Sequence, residues 1–130
     1  MRNIYDFLIS SSQMGPAAAL PSADPSPTEI SQAGLHRTNP ACAEALDLFI
    51  ACYGAESANL ALKMLATGGI YIGGGIAPHI AARLMSDTFV DAFLATGPDN
   101  IRALLREIPI HLINFELNGL HGAANHARRL

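Results

Sequence analysis

The longest regular pattern in the chain runs from Ala41 to about Ala66. Leu46, Phe49, Ile50, Tyr53, Ser57, Leu60, Ala61 and Met64 recur at intervals of three and four, which is one face of a helix. Leu48, Cys52, Ala55, Asn59 and Leu62 form a second, mostly apolar face. Apolar character on two sides predicts a helix buried between layers, with the Asn59 amide needing partners inside. Asn39 stands at the capping position and Pro40 at the first helical position, where its missing N–H costs nothing. Gly54 interrupts the run at about 1 kcal/mol relative to alanine, which predicts close packing or a kink.

Before this helix the pattern is weak. Ile4 to Ile9 is apolar enough for one or two helical turns, but Ser10–Ser12, Gly15-Pro16, Pro21, Pro25 and Pro27 break the stretch up to about Thr28 into loop. Thr28 to Ala33 predicts one short helix ended by Gly34. After the long helix, Gly68-Gly69 predicts a stop and Ile70-Tyr71-Ile72 a short buried strand. Gly73-Gly74-Gly75 then turns into a helix with Pro78 near its first turn. Further helices are predicted around Phe89–Phe93, with Ser86 and Asp87 as caps, and through Leu104-Leu105, capped by Asp99 or Asn100. Ile108 to Ile113 reads as a second strand, limited by Pro109 to a strand start or edge, and Asn118-Gly119 opens a last helix to about Arg128.

This order is the α/β pattern of parallel strands joined by helical crossovers. Two strands are too few for a free-standing sheet, so the expectation is half of an α/β domain. The chain divides into residues 1–9, a helical segment; 10–40, a Pro/Ser-rich loop region; and 41–130, the folded part.

Half of the 130 residues are hydrophobic and 15% charged, enough for a core but more apolar than a free-standing domain of this length needs. Surface meant for a partner explains the excess. Eight basic residues against eleven acidic ones leave no basic stripe, so nucleic acid is not an expected partner. No apolar run reaches the ~18 residues of a membrane span, and no leader pattern opens the chain. Cys42 and Cys52 lie ten apart and point in different directions, so neither a disulfide nor a shared metal site is expected, and buried free thiols fit a cytoplasmic protein.

The string that carries chemistry is Gly68-Gly69-Ile70-Tyr71-Ile72-Gly73-Gly74-Gly75-Ile76-Ala77-Pro78. A strand ending in glycines and entering a helix exposes backbone N–H groups and lets a ligand lie on bare backbone. In open α/β sheets ligands sit beyond the carboxyl ends of strands, where these glycines fall. It is not the dinucleotide fingerprint, since Pro78 stands where the third glycine is needed, nor a phosphate loop, since no Gly-Lys-Ser/Thr comes after it. Alone, such a turn is also a common structural device.

Its neighbours make it more specific. Asn59-Leu60-Ala61-Leu62 followed by the glycine string resembles the adenosine-side signature of bacterial glucokinases, members of the sugar-kinase, actin and heat-shock ATPase superfamily. The similarity continues through Phe89-x-x-Ala92-Phe93, Ile108-Pro109-Ile110 and Asn118-Gly119-Leu120-x-Gly122-Ala123-Ala124, and Asn3-Ile4-Tyr5 matches a segment following the glucose-binding half. The resemblance implies the C-terminal part of an actin-like (ribonuclease H-like) ATPase domain in a cytoplasmic enzyme of glycolysis. In the full-length family that enzyme transfers phosphate from ATP, with Mg, to the 6-hydroxyl of glucose. It assigns Gly73, Gly74, Gly75, Ile76 and the packing helix around Asn59 to the wall behind adenine and ribose. The family's Asp-x-Gly-Gly-Thr and Gly-Thr-Gly phosphate loops, its Asn-Asp base and its Gly-Glu-Gly-Gly-His sugar segment are not found in the 130 residues, and Thr96-Gly97-Pro98 replaces a basic Lys-Gly-Arg turn. No catalytic residue is therefore assigned, and phosphoryl transfer, which rests on positioning and charge neutralisation, is not expected of this chain alone. The alternative is a non-catalytic chain that binds adenine nucleotide weakly or associates with another chain, a homo-oligomer included, through an uncovered sheet edge.

The remaining polar residues carry less. His111 reads as a surface or satisfied strand histidine, and His121 and His126, five apart, do not share a helix face for a metal. Glu44 and Asp47 at the start of the long helix serve its dipole, and Glu107 and Glu116 flank the second strand as solvated charges.

Overall fold

The computed structural model describes residues 1–11, 19–22, 24–115 and 117–129. Its axis is α3, Pro40–Met64, 25 residues and roughly 37 Å long. The predicted cap forms: the Asn39 side-chain oxygen accepts from the Cys42 N–H at 3.0 Å, with Pro40 in the first turn. The helix stops earlier than the glycine pair suggests, because Leu65 already takes the left-handed conformation (φ 47°) and donates its N–H back to the last turn.

Against the first half of α3 lie α1 (Arg2–Ser10) and α2 (Pro27–Leu35). Tyr5, Leu8, Ile30, Ala41, Cys42 and Ala45 close a small core there. The α2 helix is longer than the sequence suggests. Pro27 fits its first turn, and Ser26 and Glu29 form a reciprocal capping box with bonds of 3.2 and 2.7 Å. Gly34 does not end it but sits inside, where a Cβ would come within 2.6 Å of the Cys42 carbonyl oxygen. The short helix expected over Thr28–Ala33 therefore gains Pro27 at its start and Gly34 and Leu35 at its end, and the predicted breaks at residues 12–18 lie outside the described residues.

The main core lies further along α3. There Leu46, Ile50, Ala58 and Ala61 meet Ile70 and Ile72 of β1 (Ile70–Ile72), together with Ile80, Leu84, Phe89, Phe93, Leu105 and Ile108. These last come from a 3₁₀ turn (Pro78–Ile80), α4 (Ala81–Leu84), α5 (Asp87–Leu94) and α6 (Asp99–Arg106) with the residues just after it. β2 (Ile110–Leu112) pairs parallel with β1, Ile70 opposite Ile110, and α7 (Asn118–Ala127) comes last. The protein is mostly helical with a small two-stranded parallel sheet, an α/β arrangement. Pro109 stands just outside β2, where its carbonyl still accepts from the Ile70 N–H at 2.9 Å.

Gly54 resolves the two options for the break in α3 in favour of close packing, since a Cβ there would meet the Phe89 carbonyl oxygen of α5 at 2.4 Å. The two-sided burial of α3 does not hold. Leu48, Cys52 and Asn59 on its second face are exposed, because no described element lies over them. Cys42 is a buried free thiol as expected, and Cys52 an exposed one.

Candidate functional site

β1 delivers the chain to Gly73, which is half-buried: a Cβ there would meet the Asn118 amide nitrogen at 2.8 Å. Gly74 has φ +102°, a conformation L side chains rarely adopt, and both it and Gly75 face open space. Ile76 projects outward, 60% exposed, while Ala77 is buried and anchors the turn before Pro78. The glycines therefore form a bare backbone lip held at both ends.

Opposite this lip stands one face of α3. Phe49, Cys52 and Tyr53 share a cleft of about 450 Å³ with Gly73, Gly74, Gly75, Ile76 and Ala77. That is within the roughly 300–1,000 Å³ of small-molecule sites. The aromatic wall is braced from behind. Tyr53 meets Phe49 edge-on at 5.9 Å and Phe89 at 6.1 Å, and Phe89 stacks on Phe93 at 6.4 Å. All eight lining residues are uncharged, so the cleft favours flat apolar faces and offers backbone groups for polar edges.

Asn59 is placed differently from the four turn residues. It is exposed, its amide donates to Glu56 at 3.2 Å, and it does not line this cleft. It is not the buried amide its apolar neighbours suggested, because the face it shares is uncovered. Phe49, Cys52 and Tyr53 stand in its place. Their signal in the sequence was their 49/52/53 spacing on one helix face, but Phe49 and Tyr53 read there as core.

Asp47, on the turn of α3 before this wall, accepts from both Arg37 (3.2 Å) and Arg83 and so ties α4, just beyond the glycine turn, to α3. The other candidates stay at the surface. His111 stacks on its cross-strand neighbour Tyr71 at 4.8 Å, His121 meets Phe115 edge-on at 5.1 Å, and His126 is exposed on α7.

The glycine lip and the helix facing it belong to a sequence that known proteins match from end to end. The sequence profile of the family described as Glucokinase matches residues 1–130. The chain belongs to the glucokinase family. It is 46% identical over 101 residues to a glucokinase of a Nostoc species, covering 78% of this chain and 29% of that protein. It is 34% identical over 128 residues to a glucokinase of Brucella melitensis, covering 98% of this chain and 35% of that one. A Synechocystis glucokinase is 41% identical over 95 residues, 73% of this chain and 26% of the relative. This glucokinase-family chain thus spans about a third of the length of the curated relatives it matches. No helix among its described residues is long and apolar enough to cross a membrane.

Proposed function

We propose that this chain supplies the adenosine wall of a glucokinase: Gly73, Gly74, Gly75 and Ile76 form the surface along which the nucleoside of ATP lies, closed by Phe49 and Tyr53. The observation that carries this is the lip itself. At Gly74 and Gly75 nothing lies within 4 Å of where a Cβ would stand, beside a cleft walled by aromatic rings. A flat heterocycle and ribose fit such a surface, whose backbone groups serve their polar edges. The cleft lining carries no carboxylate, the donor magnesium takes, so these residues do not fit the metal and no ligand is assigned to it. Asn59, exposed and bonded to Glu56, bears on the nucleotide only through the helix it belongs to.

The activity proposed for the full-length protein is transfer of a phosphoryl group from ATP to glucose in an actin-like ATPase fold, in the cytoplasm. The 130-residue chain binds nucleotide without turning it over. Titration calorimetry with ATP and ADP tests the binding: heat is expected, and none at millimolar nucleotide overturns it. A coupled assay with glucose and ATP tests the second statement, and steady turnover by the chain alone refutes it. A second reading, association with another chain, is favoured by the exposed Leu60, Met64 and Leu65 at the end of α3. Sedimentation at rising concentration distinguishes a monomer from that outcome.

A further inference from the structure

On α3, Asp47 stands two residues ahead of Phe49, where the aromatic wall begins, and Arg83 stands on α4, just past the glycine lip. Their ion pair joins the two sides of the cleft at one end, although neither residue lines it. The same terminal nitrogen of Arg83 also reaches the Thr88 hydroxyl of α5 at 3.4 Å. The Nε–H of Arg83 is buried without a partner among the described residues, so that one nitrogen carries the link from α4 to both α3 and α5.

The lip has few holds of its own. The Ile76 carbonyl accepts from the His79 N–H at 3.1 Å, and nothing lies within 4 Å of where a Cβ would stand on Gly74 or Gly75. Upstream the lip is fixed by β1, whose Ile72 carbonyl accepts from the Ile113 N–H at 2.8 Å. Downstream, Ala77, Ile80 and Leu84 are buried in the main core. That packing is apolar and non-directional, so it tolerates sliding of the short α4 along α3. A guanidinium–carboxylate bond does not, because it fixes both distance and direction. The Arg83 and Asp47 side chains are 21% and 29% exposed, so salt screens this pair less than an open surface pair. Arg37, the second cation on Asp47, is more exposed and comes from the turn after α2, so its bond does not involve α4.

We propose that Asp47 and Arg83 are positioning residues: their pair sets the distance between the glycine lip and the aromatic wall, and with it the fraction of molecules whose cleft admits a nucleoside. The proposal rests on the adenosine-wall reading above. Apparent affinity scales with the binding-competent fraction, and an ion pair of this kind is modest. Breaking it therefore lowers affinity by at most about five-fold.

Titration calorimetry with ATP on Asp47→Asn, Arg83→Gln, the double variant and Arg37→Gln tests it. The first two change the local charge in opposite senses. Acting through charge alone, Asp47→Asn would tighten binding of the anionic nucleotide, Arg83→Gln would weaken it, and the double variant would return to the parent. Positioning weakens both, by about three- to five-fold each, and the double variant by no more than either, since the same bond is lost in all three. Arg37→Gln should stay within about two-fold of the parent, and Asp47→Glu, which keeps the carboxylate, should restore most of the affinity. In the ligand-free ¹⁵N-labelled chain, the amides of Gly74, Gly75 and Ile76 should shift in Asp47→Asn and Arg83→Gln and stay in place in Arg37→Gln. If Arg83→Gln does not fold, the sign of the change in Asp47→Asn decides alone. Changes of opposite sign, or no change in either variant, overturn the positioning role and leave the adenosine wall standing. Absence of ATP binding by the parent removes both.

Discussion

Replacing Gly54 by alanine tests whether α3 and α5 touch as closely as described. The added methyl carbon would stand 2.4 Å from the Phe89 carbonyl oxygen, 3.1 Å from the Ala92 Cβ and 3.2 Å from the Phe93 nitrogen. Two of those three atoms are backbone, so no rotamer change relieves the contact. The α5 helix must move outward by most of an ångström, which disturbs the Tyr53–Phe89 and Phe89–Phe93 ring contacts. Overpacking of this kind costs about 1–3 kcal/mol, and a contact this short on rigid atoms belongs at the upper end. The gain in helix propensity offsets roughly 1 kcal/mol of it. The net is a loss of about 2 kcal/mol, or a fall in Tm of roughly 6–10 °C for a chain of this size. Circular dichroism melts measure it. Gly68→Ala is the control: Gly68 is exposed with nothing within 4 Å, so that variant should stay within about 0.5 kcal/mol of the parent. A Gly54→Ala protein as stable as the parent would falsify the packing argument, because propensity alone would then decide the sign.

Three further outcomes are expected from the site and its supports. Cys52 is exposed on the cleft while burial pushes the Cys42 thiol up, so a thiol reagent should modify one cysteine rapidly at neutral pH, with ATP slowing it and Cys42 reacting only after denaturation. Unslowed labelling at saturating ATP would count against the adenosine wall. Gly74→Val forces a β-branched residue to φ +102° and should cost about 1–3 kcal/mol in a urea titration, whereas Gly75→Val should keep stability and lose nucleotide affinity. The Ser26 backbone and hydroxyl bonds hold the Glu29 carboxyl below its usual range. Its contribution to α2 is therefore complete above the unfolded value of about 4.3 and lost as pH falls through the lower folded value. Following the Ser26 amide shift against pH checks this, and Glu29→Gln should abolish the transition.

Where local physics decides structure, the sequence was readable. Asn39-Pro40 starts α3 where caps and prolines start helices, and Ile70–Ile72 between glycines forms a strand that pairs in parallel. The α/β order, the glycine lip and the membership of a kinase family all came from one contiguous string and its neighbours. Position relative to other elements was harder. Asn59 and Leu48 have apolar neighbours along the helix, yet whether that face is covered depends on what packs there, which periodicity does not encode. The short helix α2 was legible but its ends were not, although Ser26-Pro27-x-Glu29 is itself a start signal once the capping box is recognised. Phe49 and Tyr53 went unnoticed as site residues because a ring lining a cleft and a ring inside a core have the same spacing.

The pairing of Ile70 with Ile110 has a consequence for assembly of the protein. The strands are 110 − 70 = 40 residues apart, and closing a loop of that length costs about 3 kcal/mol of chain entropy before the first ladder bond forms. Three residue pairs of ladder are a small return on that cost, so the helices of the crossover must dock on α3 first and bring the strand ends together. The glycine lip hangs from the end of β1. It takes its final shape only when that docking is complete, so the order of the cleft depends on the α3–α5 contact at Gly54, one residue from Tyr53 in the cleft wall.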